Sequence, residues 1–382
     1  MTESDFPRDL RATVSVGGEE REFTLATGDG LLSSDAVRPA VRAVLRHVDV
    51  APDDDALVLD GNRGLAGVAL GAAAPDGEVL VTETSARAAE ACRLNADRNG
   101  TDNVSVSLTA DPATGRDGFD CCVFVPRPYD PVAVVQDRLV RGLSRLRPGG
   151  RFFLAGPSDT GVQRYADTLD EYAASTTRVA ASDGVRVIRG ERGETVADPP
   201  GVPETEFRAT VGDYTCRFLT QPGLFSWESL DDGTAALLRA VSVADDERVL
   251  DCCCGYGAVG AFVGARSDCD LVATDDDVRA TALAEQNVER NGVTAESVTT
   301  GDCLDAVDGE FDVILTNPPT HAGDGVTRKL FASVRDALTP DGRFCLVANE
   351  IMRYDDRLAD EFGFETTVLD STDGFDVIRA RK

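Results

Sequence analysis

The chain has 382 residues, enough for two domains of ordinary size, and its 42% hydrophobic and 6% aromatic content is that of a folded protein. Sixty-seven acidic against thirty-eight basic side chains leave a net charge of −29, and only Lys329 and Lys382 are lysines; with this apolar content the pattern excludes the disordered acidic class and points to adaptation to very high intracellular salt. In molar salt the Debye length falls to about 3 Å, so net charge does not exclude a nucleic-acid partner.

The opening Met1-Thr2-Glu3-Ser4-Asp5 has no basic region followed by an apolar one, so no leader peptide is expected, and no apolar run is long enough to span a membrane. Residues 8–33 read as a β-hairpin, with strands at 10–16 and 23–27 about a Gly17-Gly18 turn, and a helix is expected from about Asp35 to His47. A strand at 56–60, a glycine-containing turn, a strand at 78–82 ending at Glu83 and a helix from about Ala86 to Asn99 follow. Strands at 119–125 and 151–155 continue the alternation, which is that of a mostly parallel sheet covered by helices.

The second half repeats the first. Arg98-Asn99-Gly100 recurs as Arg290-Asn291-Gly292, Phe119-Asp120 as Phe311-Asp312 and Gly150-Arg151-Phe152 as Gly342-Arg343-Phe344, each 192 positions on (290 less 98, for instance). Leu59-Asp60 matches Leu250-Asp251 at 191, and the opening hairpin returns in Arg208-Ala209-Thr210-Val211 and Gly223-Leu224. A repeat at one period marks two copies of one domain. The Pro-, Gly- and charge-rich stretch 191–204 reads as a linker between domains at 1–190 and 205–382. The offset puts Val125-Pro126-Arg127 opposite Asn317-Pro318-Pro319 and Ala66 opposite Gly257, so the first copy is expected to be a degenerate scaffold or substrate-binding half. Its cluster Arg138, Arg141, Arg145, Arg147 and Arg151 reads as surface salt bridging, with RNA contact as the alternative.

The chemistry sits in the second copy. Residues 311–315 are an apolar run that stops at Asn317-Pro318-Pro319. Two prolines cannot donate to a ladder, and each holds the residue before it extended. The result is a stiff loop at the carboxyl end of a strand, where open α/β sheets bind ligands. Such a loop suits transfer to a planar nitrogen, because the Asn317 side-chain oxygen and the Pro318 carbonyl can each accept one N–H. Upstream, Cys252-Cys253-Cys254-Gly255-Tyr256-Gly257 is a turn from strand into helix; alone it would serve a nicotinamide dinucleotide about as well. Asp275 ends the next strand, where a carboxylate can take both ribose hydroxyls, and Asp302 follows a further strand, where it can accept from an adenine amino group. Acids at three successive strand ends (Asp251, Asp275, Asp302) suit a cationic, phosphate-free adenosine ligand. The ten cysteines have neither disulfide nor zinc spacing, which fits a reducing cytoplasm. Arg328-Lys329 follows the loop and offers a phosphate contact.

This combination resembles class I S-adenosylmethionine-dependent methyltransferases. The stretches from Gly223 to Thr234, from Asn317 to Gly323 and Leu346-Val347-Ala348-Asn349 are similar to the ribosomal RNA small subunit methyltransferase C family, which methylates guanine N2 in 16S rRNA. The resemblance implies an α/β protein of two tandem Rossmann-like domains, each a mostly parallel seven-stranded sheet with helices on both faces, preceded by a β-hairpin. It implies S-adenosyl-L-methionine held by Asp251, Cys253, Gly255, Gly257, Asp275, Asp302 and Asn317, and a catalytic loop of Asn317, Pro318 and Pro319. His321 would line the base pocket beside Thr320, with Arg328 nearby. Ribosomal RNA or the small ribosomal subunit is the implied partner, without metal or membrane, in the cytoplasm of a halophilic archaeon. Two positions depart from the family. Thr320 stands where an aromatic could stack on a flipped base, and Cys253 stands at the first glycine of the loop, tolerable if its φ stays negative. The same loop serves enzymes acting on adenine N6, transfer RNA guanine or protein glutamine. An RNA-binding or ribosome-assembly factor with a vestigial cofactor site is the non-enzymatic alternative.

Overall fold

Residues 5–113, 115–159, 161–372 and 374–382 are described in the computed structural model; residues 1–4, read above for a leader, lie outside the described residues. The chain divides into two units, Met1–Pro203 and Glu204–Lys382.

In the first unit, β1 (Arg8–Val16) pairs antiparallel with β2 (Glu19–Thr27), burying Ala12, Val14 and Val16 on one face. Next come α1 (Pro39–His47), β3 (Ala56–Leu59), α2 (Leu65–Ala73), β4 (Val79–Glu83), α3 (Ala86–Arg98), β5 (Val104–Leu108) and β6 (Phe119–Phe124). The unit closes with α4 (Val132–Ser144), β7 (Leu146–Pro157), α5 (Val162–Tyr172), β8 (Ser175–Ser182) and β9 (Val185–Glu191). The strands after the hairpin form one seven-stranded sheet, ordered β5-β4-β3-β6-β7-β9-β8, antiparallel only where β9 joins β7 and β8. Strand β9 runs one residue into the stretch read as a linker. The first helix begins at Pro39 rather than near Asp35. A proline excludes the α conformation from the residue before it, and Arg38 is extended at φ −56°, ψ 132°.

The second unit repeats this plan. Hairpin β10 (Thr205–Val211) and β11 (Tyr214–Thr220) precedes α6 (Asp232–Ala240), β12 (Arg248–Cys252), α7 (Ala258–Gly264), β13 (Asp270–Asp275), α8 (Val278–Arg290), β14 (Ala295–Thr300) and β15 (Phe311–Thr316). After a 3₁₀ turn, Thr320–Ala322, come α9 (Asp324–Ala337), β16 (Leu338–Asn349), a second 3₁₀ turn, α10 (Tyr354–Phe362), β17 (Glu365–Thr372) and β18 (Phe375–Arg381). The sheet order is β14-β13-β12-β15-β16-β18-β17. The central strands β12 and β15 are largely apolar because both faces are covered, with Asp251 and Asp312 as their acidic exceptions. Val249, Val313 and Leu315 pack with the hairpin, α6, α7 and α8, while Leu250, Ile314 and Phe344 pack with α9 and α10. The chain runs outward from β12 to β14 and resumes on the other side with β15. The carboxyl ends of β12 and β15 therefore flank a topological switch point. Among the described residues, no helix is long and apolar enough to cross a membrane.

The ladders correct the repeat register. Both hairpin strands have 9 residues in the first unit and 7 in the second, so the offset falls from 197 at Arg8/Thr205 to 193 at Thr27/Thr220. It remains 193 through the first sheet strand. Val58 pairs with Val81 and Val123, and Asp251 with their counterparts Ala273 and Leu315. Asp251 thus stands opposite Val58, and Cys253 opposite Asp60. The repeated Leu-Asp dipeptide is a coincidence that the hydrogen-bond register overrides. Gly257 likewise matches Gly64, not Ala66. Both are left-handed helix N-caps at φ 85°, and a Cβ on either would come within 2.9 Å of a neighbouring helix backbone.

Candidate active site

Three acids surround the switch point. Asp251, on β12, is 1% exposed; one carboxylate oxygen accepts the Gly260 N–H at 2.8 Å, and the other, Oδ1, has no hydrogen-bond partner among the described residues. Burial pushes its pKa up to about 7. Asp275, closing β13, accepts N–H groups from Gly255 at 2.8 Å and Asp277 at 3.0 Å, and burial pushes it up to about 6. Two desolvated carboxylates, one with an orphaned oxygen, fit a ligand that brings positive charge and hydroxyl donors. Asp302, just beyond β14 and 2% exposed, differs. Its Oδ2 accepts from Lys329 Nζ of α9 at 2.9 Å, and Lys329 also reaches Asp305 at 2.7 Å.

The turn between β12 and α7 is held from two sides. Cys254 N–H bonds Thr274 of β13 at 3.0 Å. Asn287 of α8 is fully buried, donates at 2.8 Å to the carbonyls of Tyr256 and Leu219, and accepts the Leu219 N–H at 2.7 Å. It pins the turn to the hairpin. Asn287 was not singled out from the sequence, although the period of 192 pairs it with Asn95, which makes the same contacts to Ala26 and Arg63. Within the turn Cys253, Gly255 and Gly257 all have positive φ, at 58°, 55° and 85°. The condition on which the sequence would tolerate a cysteine there, a negative φ, is therefore not met. The turn needs a left-handed residue there, and a non-glycine residue pays roughly 1–2 kcal/mol for it. All ten cysteines are free thiols. Among the described residues, no group of three or more His, Cys, Asp or Glu could hold a metal ion.

Asn317 follows β15. Its Nδ2 donates to Asp231 Oδ2 at 2.9 Å and Thr234 Oγ1 at 3.0 Å, using both amide hydrogens. The side-chain oxygen therefore faces the opposite way, and no described residue is hydrogen-bonded to it. Asp231 and Thr234 lie in a stretch quoted for its family likeness, but no spacing rule joins them to Asn317. The Pro318 carbonyl, expected to accept one N–H from a ligand, already accepts one from the backbone. Pro319 at φ −76°, ψ 76° turns the chain so that Thr320 N–H bonds it at 2.8 Å, leaving one lone pair. The Pro319 carbonyl accepts from Ala322 at 2.9 Å and closes the 3₁₀ turn. His321 is exposed on that turn and Thr320 is partly buried beside it. Arg328 is exposed but paired with Asp324 and Glu361, both at 2.7 Å. Phe225, on the loop that ends at Asp231, is 62% exposed, and Ile351, just past β16, is 81% exposed; neither was anticipated.

The first unit fills the same places differently. Arg38 occupies the position of Asp231, and its guanidinium donates to the carbonyls of Val125 at 3.2 Å and Pro126 at 2.6 Å. Val125 replaces Asn317. Arg127, at the position of Pro319, is ion-paired with buried Glu83, the counterpart of Asp275, and lies 3.9 Å from Asp60. Arg138 pairs with Asp60, Arg141 with Asp111 and Asp137, Arg145 with Asp117, Arg147 with Asp120 and Arg151 with Asp54. The arginine cluster is thus neutralised residue by residue rather than displayed as a basic face.

The family model of the Methyltransferase small domain matches residues 22–189 and again 215–379. A ribosomal RNA small subunit methyltransferase C of Pseudomonas syringae pv. tomato is 30% identical over 275 residues, 69% of this chain and 80% of the relative. The chain belongs to this methyltransferase family. The ribosomal RNA small subunit methyltransferase C of Chromohalobacter salexigens is 38% identical over 171 residues, 43% of this chain and 50% of that one. A T. thermophilus 16S rRNA N2 methyltransferase, solved with AdoMet and guanosine, shares the fold of tandem seven-stranded domains. Its TM-score is 0.79, at 23% identity and with both chains fully covered.

Proposed function

We propose that this chain transfers a methyl group from S-adenosyl-L-methionine to the exocyclic amino group (N2) of a guanine in small-subunit ribosomal RNA. The observation that carries the reading is the Asn317 amide, locked with its oxygen open at the switch point of a chain from this family. The bound sulfonium supplies an electrophilic methyl group. Asp251 and Asp275 would balance the positive charge and receive the ribose hydroxyls, while Asp302 would accept from the adenine amino group. Gly255, Gly257 and Cys253 bend the backbone so that it approaches the ligand closely. The Asn317 oxygen and the remaining lone pair of the Pro318 carbonyl would each take one hydrogen of the guanine amino group and so orient its nitrogen for attack. Solvent or a carbonyl takes the proton released. Pro319 stiffens the loop, His321 and Thr320 line the base pocket, and Phe225 offers the stacking face that Thr320 lacks. Arg328 exchanges a carboxylate partner for a phosphate. Residues 205–382 carry the chemistry, 1–190 act as scaffold or substrate-binding half and 191–204 join them. The acidic, lysine-poor composition supports a setting in the cytoplasm of a halophilic archaeon, with ribosomal RNA or the small subunit as the partner and no metal.

Nucleoside digests of ribosomal RNA from cells with and without the gene test this by mass spectrometry. Loss of N2-methylguanosine on deletion, restored by wild type but not by Asn317→Ala, is expected. An unchanged digest overturns the guanine assignment and directs the search to adenine N6, transfer RNA and protein glutamine.

A further inference from the structure

An asparagine amide is ambivalent. Turning it over exchanges an acceptor for a donor at almost no steric cost, so Asn317 alone does not define what its loop recognises. Its surroundings do. The Asp231 carboxylate can only accept. Thr234 Oγ1 lies 3.1 Å from Asp231 Oδ2 and donates its one hydrogen there, so towards Asn317 it too can only accept. A reversed amide would set its oxygen against both acceptors. Asp231 is itself fixed, because it caps α6 by accepting the Thr234 N–H at 2.8 Å.

We propose that Asp231, with Thr234, is the positioning residue that holds the Asn317 oxygen towards the acceptor and makes the loop selective for a nitrogen that donates hydrogens. The first unit supports this independently. There Asp231, Thr234 and Asn317 are replaced by Arg38, Val41 and Val125, so all three members of the network are absent together. The inference rests on the reading of Asn317 as the residue that holds the methyl acceptor.

The test uses the full chain with ribosomal RNA from the deletion strain. Asp231→Asn keeps a good helix cap but adds a donor that accommodates the reversed amide. It is expected to lower kcat by about 10²-fold, the cost of a misplaced reacting group, with the Kd for S-adenosylmethionine and the melting temperature nearly unchanged. Thr234→Ser keeps the hydroxyl and most of the activity, whereas Thr234→Val loses about tenfold. Adding Asp231→Asn to Asn317→Ala brings no further loss, because the two act as one unit. Full kcat in Asp231→Asn, or a loss that multiplies with that of Asn317→Ala, overturns the proposal. If the wild type leaves guanine unmodified but methylates another nitrogen, the guanine assignment fails, and the same double-mutant cycle on that acceptor decides the positioning role.

Discussion

Cys253 is held at φ 58° in a turn whose other left-handed positions are glycines. Cys253→Gly removes the clash between Cβ and backbone but adds entropy to the unfolded chain. A net gain of up to about 1 kcal/mol is expected, while β-branched Cys253→Val should lose more than about 1 kcal/mol; urea denaturation distinguishes the signs. Asp251 and Asp275 provide a second prediction. With folded values of about 7 and about 6, above the ordinary 3.8, the native state holds more protons than the unfolded chain between those limits. The ligand-free protein therefore loses stability as pH rises through that interval. A cation favours the ionised carboxylates, so S-adenosylmethionine should bind more tightly as pH rises through about 6 to 7, with uncharged-sulfur S-adenosylhomocysteine showing a shallower trend. Calorimetry at several pH values measures both, and parallel flat profiles would remove Asp251 and Asp275 from the cofactor site.

Between elements, Asn287 links α8, the β12–α7 turn and the hairpin through three buried hydrogen bonds. Asn287→Ala leaves backbone groups of Leu219 and Tyr256 unsatisfied. It is expected to cost about 2–4 kcal/mol and to weaken cofactor binding at the same time; thermal melts with and without ligand report the two effects. At this scale much was legible in the sequence. Alternating strand and helix patterns, glycine turns and the repeated landmarks specify two copies of a mostly parallel sheet, and the prolines mark the end of β15. The start of α1 was misplaced because the helical pattern extends ahead of Pro39, whereas the proline decides where the helix can begin. The first-strand register was misplaced because a dipeptide match carries less information than a ladder. Asp231 and Thr234 lie 86 and 83 residues from Asn317. Only the topology brings them together, so residue types could name Asn317 but not its partners.

For the whole molecule, a net charge of −29 opposes compaction at low ionic strength. Raising potassium chloride from about 0.2 M to about 3 M should raise the melting temperature by roughly 10 °C or more; a decrease would refute the reading of the acidic surface. The buried charges of the first unit respond differently, because salt screens them little. Arg127→Met strands Glu83 without its cation and should cost about 3–5 kcal/mol at either salt concentration, whereas Arg127→Met with Glu83→Gln recovers most of it. The exchange of Asp231 and Asn317 for Arg38 and Val125 bears on whether one half could be converted into the other. Val125→Asn alone would bring an amide without the carboxylate that fixes its orientation, and Arg38→Asp alone would strip two loop carbonyls of their donor. Neither single step rebuilds the acceptor pair. The two positions behave as a two-key lock: an engineer who wants a second reactive loop must turn both at once.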